Sequence, residues 1–175
     1  MFLISFSIPL AAQEKEPGKA KTGGSDNLVK VEGTVHCDKP ELAYSIDVPD
    51  RSGHALMIAQ RKCTWTKPLV VLDAKTKVGV AVNFIEKMEG TLHMHGYEVD
   101  TLDDGEKLTM RNMTQILSEK GPASFRGNWS FMRGTGKFKG IKGGGTYEGK
   151  LEEDAGLTLD LEGSYVPEEM AAGKK

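Results

Sequence analysis

Apolar and polar residues alternate along most of this chain, from Leu28 to Val166. In the stretch GLTLDLEGSYV, the side chains of Leu157, Leu159 and Leu161 lie on one side of an extended chain, and the polar residues between them lie on the other. No long segment has the i, i+3, i+4, i+7 spacing of apolar residues that is typical of an amphipathic helix. The sequence therefore predicts an all-β domain with about eight or nine strands.

The same alternation assigns an interior face to the other strands. Segments rich in turn-forming residues, such as Asp103-Asp104-Gly105 and Gly121-Pro122, separate these strands. The residues expected inside are Val29, Val31, Val35 and Cys37; Tyr44, Ile46 and Val48; Met57, Ala59, Cys63 and Trp65; Val78, Val80, Val82 and Phe84; and Phe125, Trp129 and Phe131. A meander of this length predicts an up-and-down barrel or a sandwich.

Seven glycines fall within RGTGKFKGIKGGGTYEGK, residues 133–150. A phosphate-binding loop is excluded, because the G-x-x-x-x-G-K-[ST] spacing and the helix that follows it are both missing. A flexible linker is not expected either, since Phe138, Ile141 and Tyr147 are typical core residues. We interpret the segment as two strands whose glycines permit a bulge, a tight coil or a close approach between backbones.

The segment from Trp129 to Tyr147 resembles one shared by plant allene oxide cyclases, dirigent proteins and their bacterial relatives. In that segment a hydrophobic strand is followed by the pattern G-T-G-x-F-x-G-x-x-G. The matching residues are Gly134, Thr135, Gly136, Phe138, Gly140 and Gly143.

This resemblance implies a closed, antiparallel, eight-stranded β-barrel with an internal hydrophobic cavity. Some members of the family use that cavity to guide the cyclisation or coupling of reactive intermediates. The family's catalytic positions lie outside the matched segment, so the resemblance assigns no catalytic residue to this chain. Relatives of this fold often form trimers, and a homo-oligomer is therefore among the expectations.

Length and charge limit the number of domains and the kinds of partner. A chain of 175 residues fits one domain. The 23 Lys and Arg residues nearly balance the 25 Asp and Glu residues, so no basic surface is expected and nucleic acid is not an expected partner. We place the barrel domain at residues 28–166, after a disordered leader at 13–27 and before a disordered tail at 167–175.

Residues 1–12, MFLISFSIPLAA, are mostly apolar. They resemble the hydrophobic region and cleavage end of a secretory signal peptide, although a basic start is missing and a short apolar strand is the alternative. The segment is too short to span a bilayer as a helix. As a signal-peptide-like segment, it predicts a secreted or periplasmic protein with no stable membrane span.

Cys37 and Cys63 are the two cysteines of the chain. Both lie on predicted interior faces near strand ends. Two cysteines in an oxidising compartment most often pair, so we predict a disulfide bond between them. The alternative is two separate buried thiols.

Four polar residues share predicted interior faces: Arg61, Glu86, Glu98 and Asn112. A carboxyl group in an apolar cavity has a raised pKa and can act as a general acid or base, and an Arg or Asn side chain can stabilise a developing oxyanion. The alternative is that these residues lie in solvent at strand ends, or that Arg61 pairs with a glutamate. The residues predicted to contact a ligand are Trp65, Phe84, Met94, Met110, Trp129 and Phe131.

His93 and His95 project to the same side of a predicted strand, as two metal ligands would. The His-x-His pattern matches part of the cupin metal motif, but the acid Glu98 comes too early and a second motif with a third histidine is missing. Leu92 and Met94 form the better interior pair, which favours solvent-facing histidines.

Two classes of function are consistent with this sequence. The first is an exported, non-catalytic barrel that binds a small hydrophobic molecule or acts through its outer surface. The second is an isomerase or cyclase that uses no cofactor and acts on a hydrophobic substrate in the cavity. A cupin-like metal-binding barrel with His93 and His95 as ligands is a further alternative. No pair of residues has a spacing that identifies catalysis, so the binding or structural function is favoured.

Overall fold

A computed structural model describes residues 27–88, 91–117 and 124–167, without the side chains of 115–117. Within these residues the chain forms ten strands and a short 3-10 helix. The strands are β1 (Val29–Cys37), β2 (Leu42–Asp47), β3 (Ala55–Lys67), β4 (Val70–Val71), β5 (Ala74–Met88), β6 (Thr91–Leu102), β7 (Lys107–Leu117), β8 (Ser124–Gly134), β9 (Lys142–Leu151) and β10 (Leu157–Val166). The 3-10 helix, Gly136–Phe138, lies between β8 and β9.

Eight of these strands form a closed antiparallel barrel. Strands β5 to β10 follow one another around the wall, β10 pairs with β1, β1 pairs with β3, and β3 pairs with β5. The predicted all-β barrel is thereby confirmed. Strand β2 pairs with β3 beyond the end of β1, and β4 pairs with the start of β5, so neither belongs to the ring.

Apolar side chains from two loops close one end of the barrel, which we call the floor. The loop between β3 and β5 contributes Leu69 and Val71, and the loop between β8 and β9 contributes Phe138 and Ile141. Leu69, Val71 and Phe138 are 0% exposed. Each such side chain stabilises the fold by about 1.5–3 kcal/mol relative to exposure, so the floor is a well-packed part of the core.

The first glycines of residues 133–150 form the turn between β8 and β9. Gly136 and Gly140 have φ angles of +50° and +78°, in the left-handed region that residues with a Cβ rarely adopt. The turn packs Phe138 against Gly134, where a Cβ would lie 2.4 Å from the Cβ of Phe138. These contacts support the interpretation of the segment as two strands joined by a tight turn.

Gly163 in β10 leaves room for the indole ring of Trp129. Its Nε1 donates hydrogen bonds to Thr146 O and Glu162 O, both at 3.2 Å. A Cβ at Gly163 would lie 2.7 Å from Cζ2 of Trp129. The ring therefore packs directly on the backbone of the neighbouring strands.

The predicted faces of β2 and β5 are wrong. The three valines of β5 lie outside, exposed by 40% to 50%, and its interior residues are the small or polar Gly79, Ala81 and Asn83. In β2, Tyr44 and Ile46 are 69% and 72% exposed, because this strand lies beyond the end of β1. The remaining interior faces are observed as predicted, apart from Val29, Val48 and Met57, at strand ends and outside the packed core.

The described residues include no helix that is long and apolar enough to span a membrane. The signal-peptide-like segment at 1–12, nearly all of the leader at 13–27 and nearly all of the tail at 167–175 lie outside the described residues.

Candidate functional site

A small cavity of about 30 Å³ lies inside the barrel, between the floor and the opposite end, which we call the mouth. This volume is enough for roughly two water molecules. Its apolar walls come from Val35, Ala81, Met94, Met110, Trp129, Leu157, Leu159 and Leu161, and its polar groups come from Arg61, Asn83, Glu98, Asn112 and Tyr147.

Two carboxyl groups lie side by side on β6. Glu98 and Asp100 are two residues apart on one strand, so both project into the barrel, where they are 7% and 0% exposed. Gly79 lies opposite Asp100 on β5. A Cβ at Gly79 would lie 2.5 Å from Asp100 Oδ1 and 2.9 Å from Glu98 Oε1, so the glycine leaves the space that the two carboxyl groups occupy.

Burial raises the pKa of both acids. The pKa of Asp100 is raised to about 7 by its removal from water, although hydrogen bonds from Trp65 and Glu98 lower it in part. Burial raises the pKa of Glu98 well above its ordinary value, and the neighbouring charge of Asp100 raises it further. Glu98 is thus protonated when Asp100 ionises, and it donates a hydrogen bond to the Asp100 carboxylate.

A hydrogen bond from Trp65 holds the carboxyl group of Asp100 in place. Its Nε1 donates a hydrogen bond to Asp100 Oδ1 at 2.6 Å, and both side chains are buried. Since the indole N–H can only donate, Trp65 stabilises the ionised form of the carboxyl group. The geometry suits a carboxylate that stays in place while its proton is exchanged with Glu98.

Four buried oxygen atoms at or next to the cavity, which we call the polar layer, lack a hydrogen-bond donor among the described residues. They are Asn83 Oδ1, Glu98 Oε1, Asp100 Oδ2 and Asn112 Oδ1. Buried polar atoms in proteins are nearly always hydrogen-bonded, to the protein or to water. A cluster of four without donors therefore indicates a site that water or a bound molecule completes. The same layer contains Tyr147, whose hydroxyl group bonds to Thr114 Oγ1 and whose pKa is raised to about 12, mainly by burial.

Arg61 lies at the mouth. Its Nη1 donates hydrogen bonds to Asp38 O at 2.9 Å and to Ala155 O at 2.7 Å, which joins β3 to the loops after β1 and after β9. The side chain is part of the cavity lining, so it separates the cavity from solvent on this side.

Cys37 and Cys63 form the predicted disulfide bond, between β1 and β3. Together with Glu98 they are the one group of three potential metal ligands, within the part of the chain that the structure describes, whose ligand atoms lie within 4.8 Å of one another. Because the two sulfur atoms are bonded to each other, neither is available as a thiolate ligand. This arrangement does not fit a metal ion.

The structure brings together many of the residues predicted for the site. Arg61, Met94, Glu98, Met110, Asn112 and Trp129 all line the cavity. Trp65 and Phe131 are buried beside it, with the Phe131 ring packed edge-on against Trp129 at 5.0 Å. These placements are those expected of interior residues, and their roles in binding or catalysis stay predictions.

Phe84 and Glu86 lie on the outer face of β5, so the interior orientation predicted for them is wrong. The reason is the reversed face of β5, on which Asn83 and not Phe84 points inward. The ring of Phe84 packs against His95 on the outside, with centroids 5.2 Å apart. Glu86 accepts a hydrogen bond from His54 Nε2 at 3.2 Å.

His93 and His95 are exposed on the outer face of β6. In the described ranges no third side chain joins them in a group of potential metal ligands. The metal-binding alternative therefore has no support from the geometry, and a zinc titration followed by melting temperature is its test.

Sequence reasoning missed Asp100 and Asn83. Strict alternation along β6 already places Asp100 on the same face as Glu98, so a signal for it was present. Asn83 was hidden by the apolar valines of β5, which made the opposite face look like the interior.

One comparison with a known protein supports the fold. No protein-family model and no curated protein matches the chain. The solved structure of a pterocarpan synthase dirigent protein superposes with a TM-score of 0.50 at 11% identity, over 90% of this chain and 100% of that chain. This protein has the fold of a dirigent-like barrel. A conserved protein of unknown function from Rhodopseudomonas palustris superposes with a TM-score of 0.49 at 9% identity, over 78% of this chain and 97% of that chain.

Proposed function

We propose that this dirigent-like barrel binds a small, largely apolar molecule in its cavity and does so outside the cytoplasm. The observation that carries the proposal is the group of unpaired oxygen atoms of Asn83, Glu98 and Asn112, set among mainly apolar walls. Ligand sites commonly combine apolar walls with a few polar groups that fix the orientation of the ligand. The pterocarpan synthase dirigent protein is named for making a small molecule, which is compatible with this proposal but does not carry it.

Binding requires side chains to move, because the cavity holds only about two water molecules at present. Flexible side chains lie where movement is needed. Met94 and Met110 form part of the wall, and methionine adapts its shape more readily than branched residues do. Arg61 is bound at the mouth by two hydrogen bonds and can swing into solvent.

Export is supported by the disulfide bond of Cys37 and Cys63, since disulfide bonds form and persist mainly in oxidising compartments. The apolar residues at 1–12 are consistent with it. Expression with and without residues 1–12, followed by fractionation of the culture, tests this point. Recovery of the complete chain only from the cytoplasm would contradict export.

The binding test uses two probes of the same shape, 2-naphthol and 2-methoxynaphthalene. The hydroxyl group of 2-naphthol can donate to an unpaired oxygen, and the methyl ether cannot, so we expect 2-naphthol to bind about tenfold more tightly. In Asn112→Leu, which removes one acceptor, the preference should shrink. Failure of both probes to bind, in a titration followed by fluorescence, would contradict the proposed function.

A cofactor-free isomerase or cyclase is the second candidate function, and the Glu98 and Asp100 pair favours it. Two neighbouring acids with separated pKa values can donate and accept a proton at a bound molecule. Glu98→Gln should lower turnover of an isomerised substrate by roughly a hundredfold or more while its binding is retained. Equal turnover in Glu98→Gln and the unmodified protein would exclude acid-base catalysis by this residue.

Self-association is the proposed use of the outer surface. Exposed apolar side chains continue from β2 across β3 and β5 to β6, including Tyr44, Ile46, Ile58, Val82 and Tyr97. Contiguous exposed apolar side chains commonly mark sites of interaction with another protein. We expect light scattering to give a mass above that of one chain, reduced in the double variant Tyr44→Ser, Ile46→Ser. A monomeric mass at high protein concentration would contradict homo-oligomer formation.

A further inference from the structure

The unpaired atoms inside the barrel are all of one kind. Asn83 Oδ1, Glu98 Oε1, Asp100 Oδ2 and Asn112 Oδ1 are oxygen atoms that accept hydrogen bonds once the acids are ionised, and no other buried side-chain nitrogen or oxygen atom of the described residues is left without a partner. Asn83 is 4% exposed and lies on β5, so its oxygen atom reaches the site from a different strand than the acid pair on β6 does. A matching ligand must therefore supply several donors at one end.

The acid pair also lacks a positive partner. Its carboxyl groups interact with each other and with the Trp65 N–H, and with no cationic side chain in the described part of the chain. Other ionisable groups that line the cavity are Arg61 on β3 and Tyr147 on β9, while β1, β5, β7, β8 and β10 contribute none. Arg61 is held at the mouth by two carbonyl groups, so the interior has acidic groups without a neutralising cation.

We propose that this site recognises a protonated primary amine, whose ammonium group lies against Glu98 and Asn83, next to the carboxyl group of Asp100 behind Glu98, and whose apolar part lies along the walls towards the mouth. An ammonium group has three donors and a positive charge, and it is about the size of a water molecule. It therefore fits a cavity of about 30 Å³ without a change in the polar layer. A hydroxyl group offers a single donor and no charge, and an anion would meet the acids with the same sign of charge.

This inference rests on the proposed binding function of the same cavity, and it names the class of ligand. An ammonium group also changes the protonation of the site. Burial without a cation keeps the acids protonated, so a bound ammonium group stabilises their ionised forms and releases a proton on binding. Affinity for the amine should rise with pH from about 5 to about 8, as Asp100 ionises, while the amine stays protonated.

The experiment compares n-butylamine, n-butanol and butyrate, which share one alkyl chain, by calorimetry on the full chain at about pH 8. We expect n-butylamine to bind at least about tenfold more tightly than n-butanol, with butyrate weakest. At about pH 6, below the pKa of Asp100, binding of n-butylamine should release a proton, which appears as a dependence of the measured heat on the ionisation enthalpy of the buffer.

Two variants and a control locate the effect. Asp100→Asn keeps an acceptor for Trp65 and should abolish the preference for the amine, and Glu98→Gln should reduce it. Asp160→Asn, at an exposed position on β10, is the matched control and should keep the preference. If Asp100→Asn does not fold, Glu98→Gln and the pH series on the unmodified protein decide the question.

The outcomes separate this inference from the proposed function. If n-butanol binds as tightly as n-butylamine, or if 2-naphthol binds and neither butyl compound does, the amine proposal is overturned and the binding function stands. If no probe binds, both are overturned. A preference for n-butylamine that is equal at about pH 5 and about pH 8 also overturns it, because the acids would then take no part.

Discussion

Asp100 is fully buried and accepts a single side-chain hydrogen bond from an N–H donor, that of Trp65. The cost of burying its charge appears as a pKa raised from 3.8 to about 7, with removal from water as the main cause. Its neighbour Glu98 shares this environment. Burial therefore favours the protonated forms of both carboxyl groups and disfavours their ionised forms.

The pH dependence of stability follows from the sign of this shift. Between the unfolded pKa near 3.8 and the folded pKa near 7, the folded protein binds more protons than the unfolded chain, so the free energy of unfolding falls as pH rises. We expect the urea midpoint to decrease between about pH 4 and about pH 7. Asp100→Asn should flatten this decrease, and an unchanged slope in the variant would contradict the assignment.

Gly136 has a backbone conformation that a larger residue would strain. Its φ angle is +50°, and a Cβ would lie 2.1 Å from Glu106 Oε1, so Gly136→Val introduces both backbone strain and a close contact. We expect a loss of about 1–3 kcal/mol and a melting temperature lower by several degrees. As a control, Gly140→Asn occupies open space with a residue that tolerates a positive φ, and it should melt nearly as the unmodified protein does. Unaltered melting of Gly136→Val with loss of probe binding would show that the glycine serves a ligand loop instead.

In the hairpin of β2 and β3, His54 links the connecting turn to β5, in addition to the backbone pairing of β3 with β5. Its Nδ1 bonds to Asp50 Oδ1 at 2.7 Å and its Nε2 to Glu86 Oε1 at 3.2 Å. The hydrogen bond to Asp50 is the main cause of a raised pKa of His54, and the bond to Glu86 adds to it. A protonated imidazole can donate through both nitrogen atoms, which is what two carboxylates require.

The attachment of this hairpin should therefore weaken as pH rises. A raised folded pKa means that the stabilisation is present below the unfolded value of 6.5 and is lost as pH rises through the folded value. Amide exchange in β2, corrected for its intrinsic rate, should speed up over this range, while β8 serves as the internal reference. His54→Gln should show fast exchange in β2 at every pH, and equal protection in both proteins would refute the role of His54.

The elements also show how far the sequence could be read. Strands such as β10, with leucines on one face and polar residues on the other, have a single consistent interior side, and their faces are as predicted. Strand β5 has valines on its outer face and Gly79, Ala81 and Asn83 inside, so hydrophobicity alone assigns the wrong side. At Gly79 the acids of β6 occupy the space that a side chain would need, a contact between strands that local alternation does not reveal.

For the whole molecule, the closed ring was predictable because alternation, turns and the glycine-rich segment agree on one fold. The outward position of β2 was not, because it depends on where β1 ends relative to β3. The candidate site was predictable in part: Glu98, Asn112 and Arg61 follow from alternation, whereas the unpaired oxygen of Asn83 required the register of the ring.

The disulfide bond provides the prediction for the molecule as a whole. It joins residues 26 positions apart, and by restricting the unfolded chain it should stabilise the barrel by about 3 kcal/mol. The double variant Cys37→Ala, Cys63→Ala should therefore unfold at a lower urea concentration than the oxidised protein. The reduced, unmodified protein is the control and should resemble the variant. Two free thiols in denatured protein from periplasmic expression would contradict the bond itself.

The closed floor has a kinetic consequence. Within the described barrel, a molecule that passes Arg61 to reach the cavity must pass the same side chain to leave it. A barrier on a shared route lowers the association and dissociation rate constants by the same factor, so their ratio, the binding constant, is unchanged. As a barrier, Arg61 can therefore set the residence time of a ligand without setting its affinity. Residence time and affinity are then adjustable at separate positions in this fold.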